Sequence, residues 1–191
     1  MLTFRARVAA FVTPGSKYYE TSWRKEPTHQ GGFLLDGGVH FAAAIRLMLS
    51  GAGEKIKTLS AFTTQLQEHL RPVDTMNTTM LLTGGSSGTF AVSFGTTDKG
   101  SEYLVACEEG SVHVSMGKVT VKKGGEVVDE KHFKDEGAGV KQEVKAWAES
   151  LNSGKWRAEQ SGEAALGDLE IIEAALKSGE QGGAPIVLQH Q

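Results

Sequence analysis

Asp36 and His40 stand four residues apart in the run Gly31-Gly-Phe-Leu-Leu-Asp-Gly-Gly-Val-His40, which leads directly into an apolar, helix-periodic stretch ending at Leu49. On a helix, residues at i and i+4 share one face, with Cβ atoms about 5–6 Å apart. A carboxylate and an imidazole so placed form a potential acid/base pair. The carboxylate raises the basicity of the imidazole and fixes its orientation, which suits proton transfer near neutral pH. Between them, Gly37 and Gly38 each cost a helix interior roughly 1 kcal/mol relative to Ala. A plain structural helix has little reason to hold both, and their missing side chains would let another molecule approach the backbone closely.

A second cluster precedes the first. Tyr18, Tyr19, Trp23 and Arg24 lie in a polar stretch without steady periodicity, residues 17–30. An aromatic loop with an arginine can line a polar pocket by stacking and hydrogen bonding, or can be pinned to a core by its aromatics. Other chemistry-bearing residues fit blander roles. Ser86 satisfies Gly-x-Ser-x-Gly between Gly84 and Gly88, but a nucleophile elbow leads from strand into helix, whereas Thr89 to Phe94 continues as strand. The single cysteine, Cys107, has no neighbouring His or Lys to lower its pKa and cannot form an internal disulfide. His29, His69, His113, His132 and His190 are dispersed without ligand spacing, so no dedicated metal site is expected. Sharing of an ion by Asp36, His40 and His29 is the remaining combination.

The elements that must position these groups can be read from periodicity and turns. Leu2 to Val12 alternates as a half-buried strand, ended by Pro14-Gly15-Ser16. A helix runs from about Leu34 to Leu49 and stops at Ser50-Gly51-Ala52-Gly53; Ile56 to Leu66 is again strand, so the opening is βαβ-like. From Asn77 to about Phe133 short strands follow one another: Thr78–Leu82, Gly88–Phe94, Glu102–Cys107, Ser111–Ser115, Val119–Lys122 and Glu126–Phe133. Their glycine-rich separators suit hairpins and predict an antiparallel meander. Two helices close the chain: Val140 to Leu151, with Val140, Val144, Trp147, Ala148 and Leu151 on one face, and Gly162 to Lys177, capped by Ser161 and stopped by Gly179. The tail from Gln181 is expected to be an extended strap.

This segregation predicts an α+β fold: one large, mainly antiparallel, open-faced sheet with helices packed on one face, in a single domain over residues 1–191. If the uncovered face is apolar, homodimerisation through it is the simplest way to cover it. The net charge of −3 gives no electrostatic case for nucleic acid. Arg5 and Arg7 break the apolar start, and no uninterrupted apolar run reaches about 18 residues, so neither a signal peptide nor a membrane span is expected. A soluble, cytoplasmic protein is the expectation.

The run from Gly31 to His40 resembles the glycine-rich, Asp- and His-bearing segment of the glucose-fructose oxidoreductase, inositol dehydrogenase and rhizopine catabolism (Gfo/Idh/MocA) family. The preceding strand, the Tyr19 to Arg24 stretch, the Gly85-Ser86-Ser87-Gly88 turn, the Glu109-Gly110 hairpin and the Ala164 to Leu176 helix all resemble its carboxy-terminal domain. Those enzymes join a dinucleotide-binding domain to an α+β domain that binds sugars, polyols or similar hydroxylated substrates and often mediates dimerisation. The resemblance implies His40 as catalytic acid/base and Asp36 as its carboxylate partner; from their residue types, Tyr19, Trp23, Arg24, Gly37 and Gly38 are the expected substrate contacts.

The chain departs from the family's whole-enzyme pattern. Gly51-Ala-Gly53 and Gly137-Ala-Gly139 lack the third glycine of a dinucleotide fingerprint and its strand-to-helix setting, and the family's Glu-Lys-Pro segment is missing. The expectation is therefore a substrate-binding and oligomerisation domain that binds no cofactor alone and works with NAD or NADP when a nucleotide-binding domain is supplied. Two other readings stay open. One is a free-standing isomerase, lyase or cyclase using His40 for proton transfer without nicotinamide. The other is a non-catalytic dimerisation module.

Overall fold

A computed structural model describes residues 1–30, 32–134 and 139–191. Gly31, which opens the decapeptide, and Gly137 and Ala138 lie outside the described residues. Nine strands form one sheet: β1 (Thr3–Ala9), β2 (Ile56–Thr64), β3 (Thr75–Leu82), β4 (Ser87–Ser93), β5 (Gly100–Cys107), β6 (Gly110–Ser115), β7 (Lys118–Lys123), β8 (Glu126–His132) and the two-residue β9 (Ile186–Val187), in the order β8-β7-β6-β5-β1-β4-β3-β2-β9. The helices are α1 (Ser22–Lys25), α2 (Gly32–Gly51), α3 (Val140–Ser153) and α4 (Gly162–Glu180), with a 3-10 turn at Ala158–Gln160. The α+β class and the open, mainly antiparallel sheet are as the sequence leads one to expect.

The meander is interrupted once. β1 inserts between β4 and β5, parallel to the former and antiparallel to the latter, so β4 and β5 are not neighbours. Sequence separation hides such a pairing, because local turn chemistry specifies only hairpins. β1 and β2 run parallel, as a βαβ opening requires, but the β3–β4 hairpin lies between them. That hairpin disposes of the Ser86 motif: Leu82 N–H donates to the Ser86 carbonyl at 2.9 Å, and Gly85 takes φ of 87°.

The core lies between α2, α4 and one sheet face. Leu34, Ala42, Ile45 and Leu49 recur at helical spacing on α2 and meet Ile171, Ile172 and Ala175 of α4 over Phe4, Leu59, Met76, Met80 and Phe90 of the sheet. Side chains alternate across a strand, so β1 buries Phe4, Ala6 and Val8 while Thr3, Arg5 and Arg7 point to the open face. By length and composition α2 is apolar enough to cross a membrane, but here Phe33, Leu34, Ala42, Ile45 and Leu49 are buried in this core.

Ser161 caps α4 as expected, its hydroxyl accepting from Ala164 N–H at 3.1 Å. Gly179 does not stop the helix. It is helical and sits against Thr63 of β2, and the chain turns instead after Gln181 through Gly182 and Gly183, both at positive φ. Beyond them the tail straps back onto β2. α3 forms where its periodicity predicts, yet Val140, Val144, Trp147 and Leu151 are all more than half exposed.

Candidate functional site

α2 positions the candidate groups on its amino-terminal half. Asp36 is bound by Arg24, whose Nε donates to Oδ2 at 2.8 Å, in a pair whose side chains keep 17% and 29% of their exposure. Arg24 also donates from Nη1 to Thr21 Oγ1 at 3.1 Å, and its guanidinium stacks on the Trp23 ring with Cζ 4.0 Å from the centroid. Thus α1 delivers one planar cation to the Asp36 carboxylate, with an exposed indole behind it. The expected carboxylate partner of His40 is committed to Arg24 in this structure, and no hydrogen bond joins Asp36 to His40 among the described residues.

Tyr19 goes elsewhere. It stacks edge-on with His69 at 5.2 Å, while His69 Nε2 meets the Val12 carbonyl at 2.8 Å, and its ring is partly buried against the core. Tyr18 is exposed on the outside of the loop. The aromatic loop is therefore split, with Tyr19 pinning it and Trp23 with Arg24 facing Asp36.

The glycines have an internal explanation. A Cβ on Gly37 would lie 2.7 Å from the Phe94 ring, and one on Gly38 would lie 3.1 Å from Ile172 Cδ1. Phe94, edge-on to Phe33 at 5.0 Å, and Ile172 of α4 occupy the space that the sequence suggested another molecule would use. Close packing of the sheet and α4 against α2 accounts for both residues.

His40 is exposed and opens into a cleft of about 550 Å³ between α2, α3 and α4. Val39, His40 and Ala43 form one wall; Glu143, Val144 and Trp147 the second; Glu159, Gln160, Ser161, Ala165 and Asp168 the third. Asp168 is neutralised by Arg46 at 2.7 Å. Such a volume suits a small-molecule site. α3 thus contributes a wall that sequence reasoning assigned to packing alone. The signal was present in the amphipathic stripe that ends up without a core to cover.

Nicotinamide chemistry finds no cradle in the described residues. Gly139 does follow β8 and precede α3, a strand-to-helix setting that the sequence did not suggest. However, β8 is an antiparallel edge strand, Gln142 stands where the third glycine belongs, and α3 leads to α4 rather than to a parallel strand. These residues do not fit a dinucleotide pyrophosphate. Among the described residues no His, Cys, Asp and Glu cluster is arranged to hold a metal ion.

An open, mainly antiparallel sheet with helices on one face makes this an α+β domain that carries Asp36 and His40 on α2. Residues 3–188 match the family model described as "Oxidoreductase family, C-terminal alpha/beta domain", and the chain belongs to this Gfo/Idh/MocA family. It is 33% identical over 182 residues to the dehydrogenase FPY6 of Fusarium mangiferae, a match covering 93% of this chain and 52% of that protein. An oxidoreductase from Thermotoga maritima superposes with a TM-score of 0.82 at 27% identity, over 97% of this chain and 53% of the other. The aldose-aldose oxidoreductase of Caulobacter crescentus, solved with glycerol, shares the fold with a TM-score of 0.77 at 18% identity, over 98% and 55% of the two chains. The chain spans about half the length of the curated relatives it matches.

Proposed function

We propose that this chain is the substrate-binding half of a nicotinamide-dependent dehydrogenase acting on a sugar- or polyol-like hydroxyl, with His40 as the acid/base. The observation that carries the reading is the exposure of His40 to a ligand-sized cleft on a helix that buries Leu34, Ala42, Ile45 and Leu49 in the core. The membership in an oxidoreductase family and the similarity to a dehydrogenase support it. Nicotinamide, held by a nucleotide-binding domain in the same or another chain, would supply the hydride acceptor. The residues here bind and orient the hydroxylated carbon and take up its proton on an imidazole nitrogen. Asp36, charge-paired with Arg24, sits one helical turn away and contributes a fixed dipole beside the site rather than a direct hydrogen bond. Trp23 and Arg24 flank Asp36 one turn before His40, outside the residues that line the cleft, and would meet only a substrate that extends beyond it.

A homodimer through the open sheet face, in a reducing cytoplasmic compartment, completes the reading. The face is mixed: Arg5 and Arg7 pair with Glu102 at 3.8 and 3.5 Å, while Phe62 and Leu81 are exposed near the other end. The test of function joins this chain to its nucleotide-binding domain and assays polyol oxidation with NAD and NADP. His40→Ala is expected to lower kcat by about 10²–10⁴-fold with a small change in KM. Unchanged turnover would remove His40 from the chemistry.

A further inference from the structure

The cleft beside His40 has an unbalanced charge. Among the described residues, Asp168 alone of its three carboxylates is ion-paired, with Arg46, whose guanidinium also donates to the Ala164 carbonyl at 2.7 Å and to Gln191 Oε1 at 3.1 Å. Glu143 and Glu159 have no ion-pair partner among the described residues. Two cations of this region, Lys145 and Arg157, both pair with Glu149, at 3.9 and 3.1 Å. Gln160 is held by its Nε2 donating to the Glu143 carbonyl at 3.1 Å, which ties the 3-10 turn to α3 and keeps the two glutamates on adjoining walls. Trp147, 54% exposed, lines the same cleft.

An indole plane beside two free carboxylates suits one kind of ligand. The C–H face of a pyranose or cyclitol ring covers the indole, and its hydroxyls donate to the carboxylates. A carboxylate or phosphate on the ligand instead meets like charges, each costing about fivefold in affinity at 4 Å in water, and more where water is partly excluded. We propose that Trp147, Glu143 and Glu159 set specificity at the His40 site, selecting an uncharged or amine-bearing cyclic polyol and rejecting uronates and sugar phosphates. Trp147 is the stacking platform, and the glutamates act as both hydroxyl acceptors and an anion filter. This inference rests on the cleft being the substrate site proposed above, but it is read by binding, which does not require His40 to move a proton.

The experiment follows the Trp147 indole N–H by NMR in this chain at low ionic strength, with the signal assigned through Trp147→Phe. The probes are myo-inositol, D-glucose, D-glucosamine, D-glucuronate and glucose 6-phosphate. Saturable shifts are expected with the first three, with the two anions at least about tenfold weaker. Glu143→Gln combined with Glu159→Gln should bring the anions to within about twofold of glucose, and Trp147→Ala should weaken glucose by up to about tenfold. Equal binding of glucose and glucuronate, discrimination that survives the double variant, or no saturable shift with any probe each overturns the proposal. Confirmed selectivity alongside a catalytically silent His40→Ala change would instead overturn the acid/base reading and leave the specificity assignment standing.

Discussion

That His40 and Asp36 share one helical face was legible from their spacing, because a four-residue interval places two side chains on one face of a helix. Their partners were not. Arg24 lies twelve residues before Asp36, across a loop, and only the folded loop brings its Nε to 2.8 Å. Removing it should expose an uncompensated, partly buried carboxylate: Arg24→Ala is expected to destabilise the chain by about 1–3 kcal/mol in urea unfolding. Gly37 was read as an opening for a ligand, yet Phe94 fills that space. Gly37→Ala should therefore cost about 1–3 kcal/mol from displacing the ring, outweighing the gain in helix propensity of roughly 1 kcal/mol. A more stable Gly37→Ala protein would return the site to its sequence-based reading.

Among the elements, α3 and the carboxy-terminal strap behave oppositely. α3 has the expected apolar stripe but buries only Ser150 within this chain. A helix of 14 residues without a packed face is marginal in water, so its amides should exchange with solvent far faster than those of α2, by orders of magnitude in a native-state hydrogen-exchange experiment. The strap is knotted by Glu170, which accepts from the backbone amides of Gln189 and His190 and from the Gln191 side chain. Partial burial pushes the Glu170 carboxyl up, but these hydrogen bonds outweigh it and leave it below its ordinary value. A depressed folded pKa means the contribution is present above the ordinary value of 4.5 and is lost as pH falls through the folded value. Glu170→Ala should lower stability by about 1–2 kcal/mol at pH 7 and reduce the loss seen on acidification below about pH 4.5.

For the molecule as a whole, the proposed homodimer turns on the open face. Antiparallel sheets tolerate one solvated face, and the Arg5, Arg7 and Glu102 cluster is compatible with solvent. Phe62, 68% exposed, is the apolar counterweight. A dimer through this face should show a doubled mass in sedimentation velocity that Phe62→Lys returns to the monomer. A mass unchanged by that substitution would move the interface elsewhere.

Period-2 and helical patterning with glycine-rich turns determined the α+β class, the positions of β1 to β8 and of α2, α3 and α4, the Ser161 cap and the Asp36–His40 spacing, since these follow from interactions within a few residues. The family membership was legible for the same reason, its signature being one contiguous segment. Only the tertiary structure decided that β1 divides the meander, that Arg24 rather than His40 holds Asp36, that Phe94 and Ile172 account for the glycines, and that α3 walls a cleft. Each of these joins residues distant in the chain, and such pairings are selected by the global packing of the sheet against α2 and α4, which no local pattern encodes.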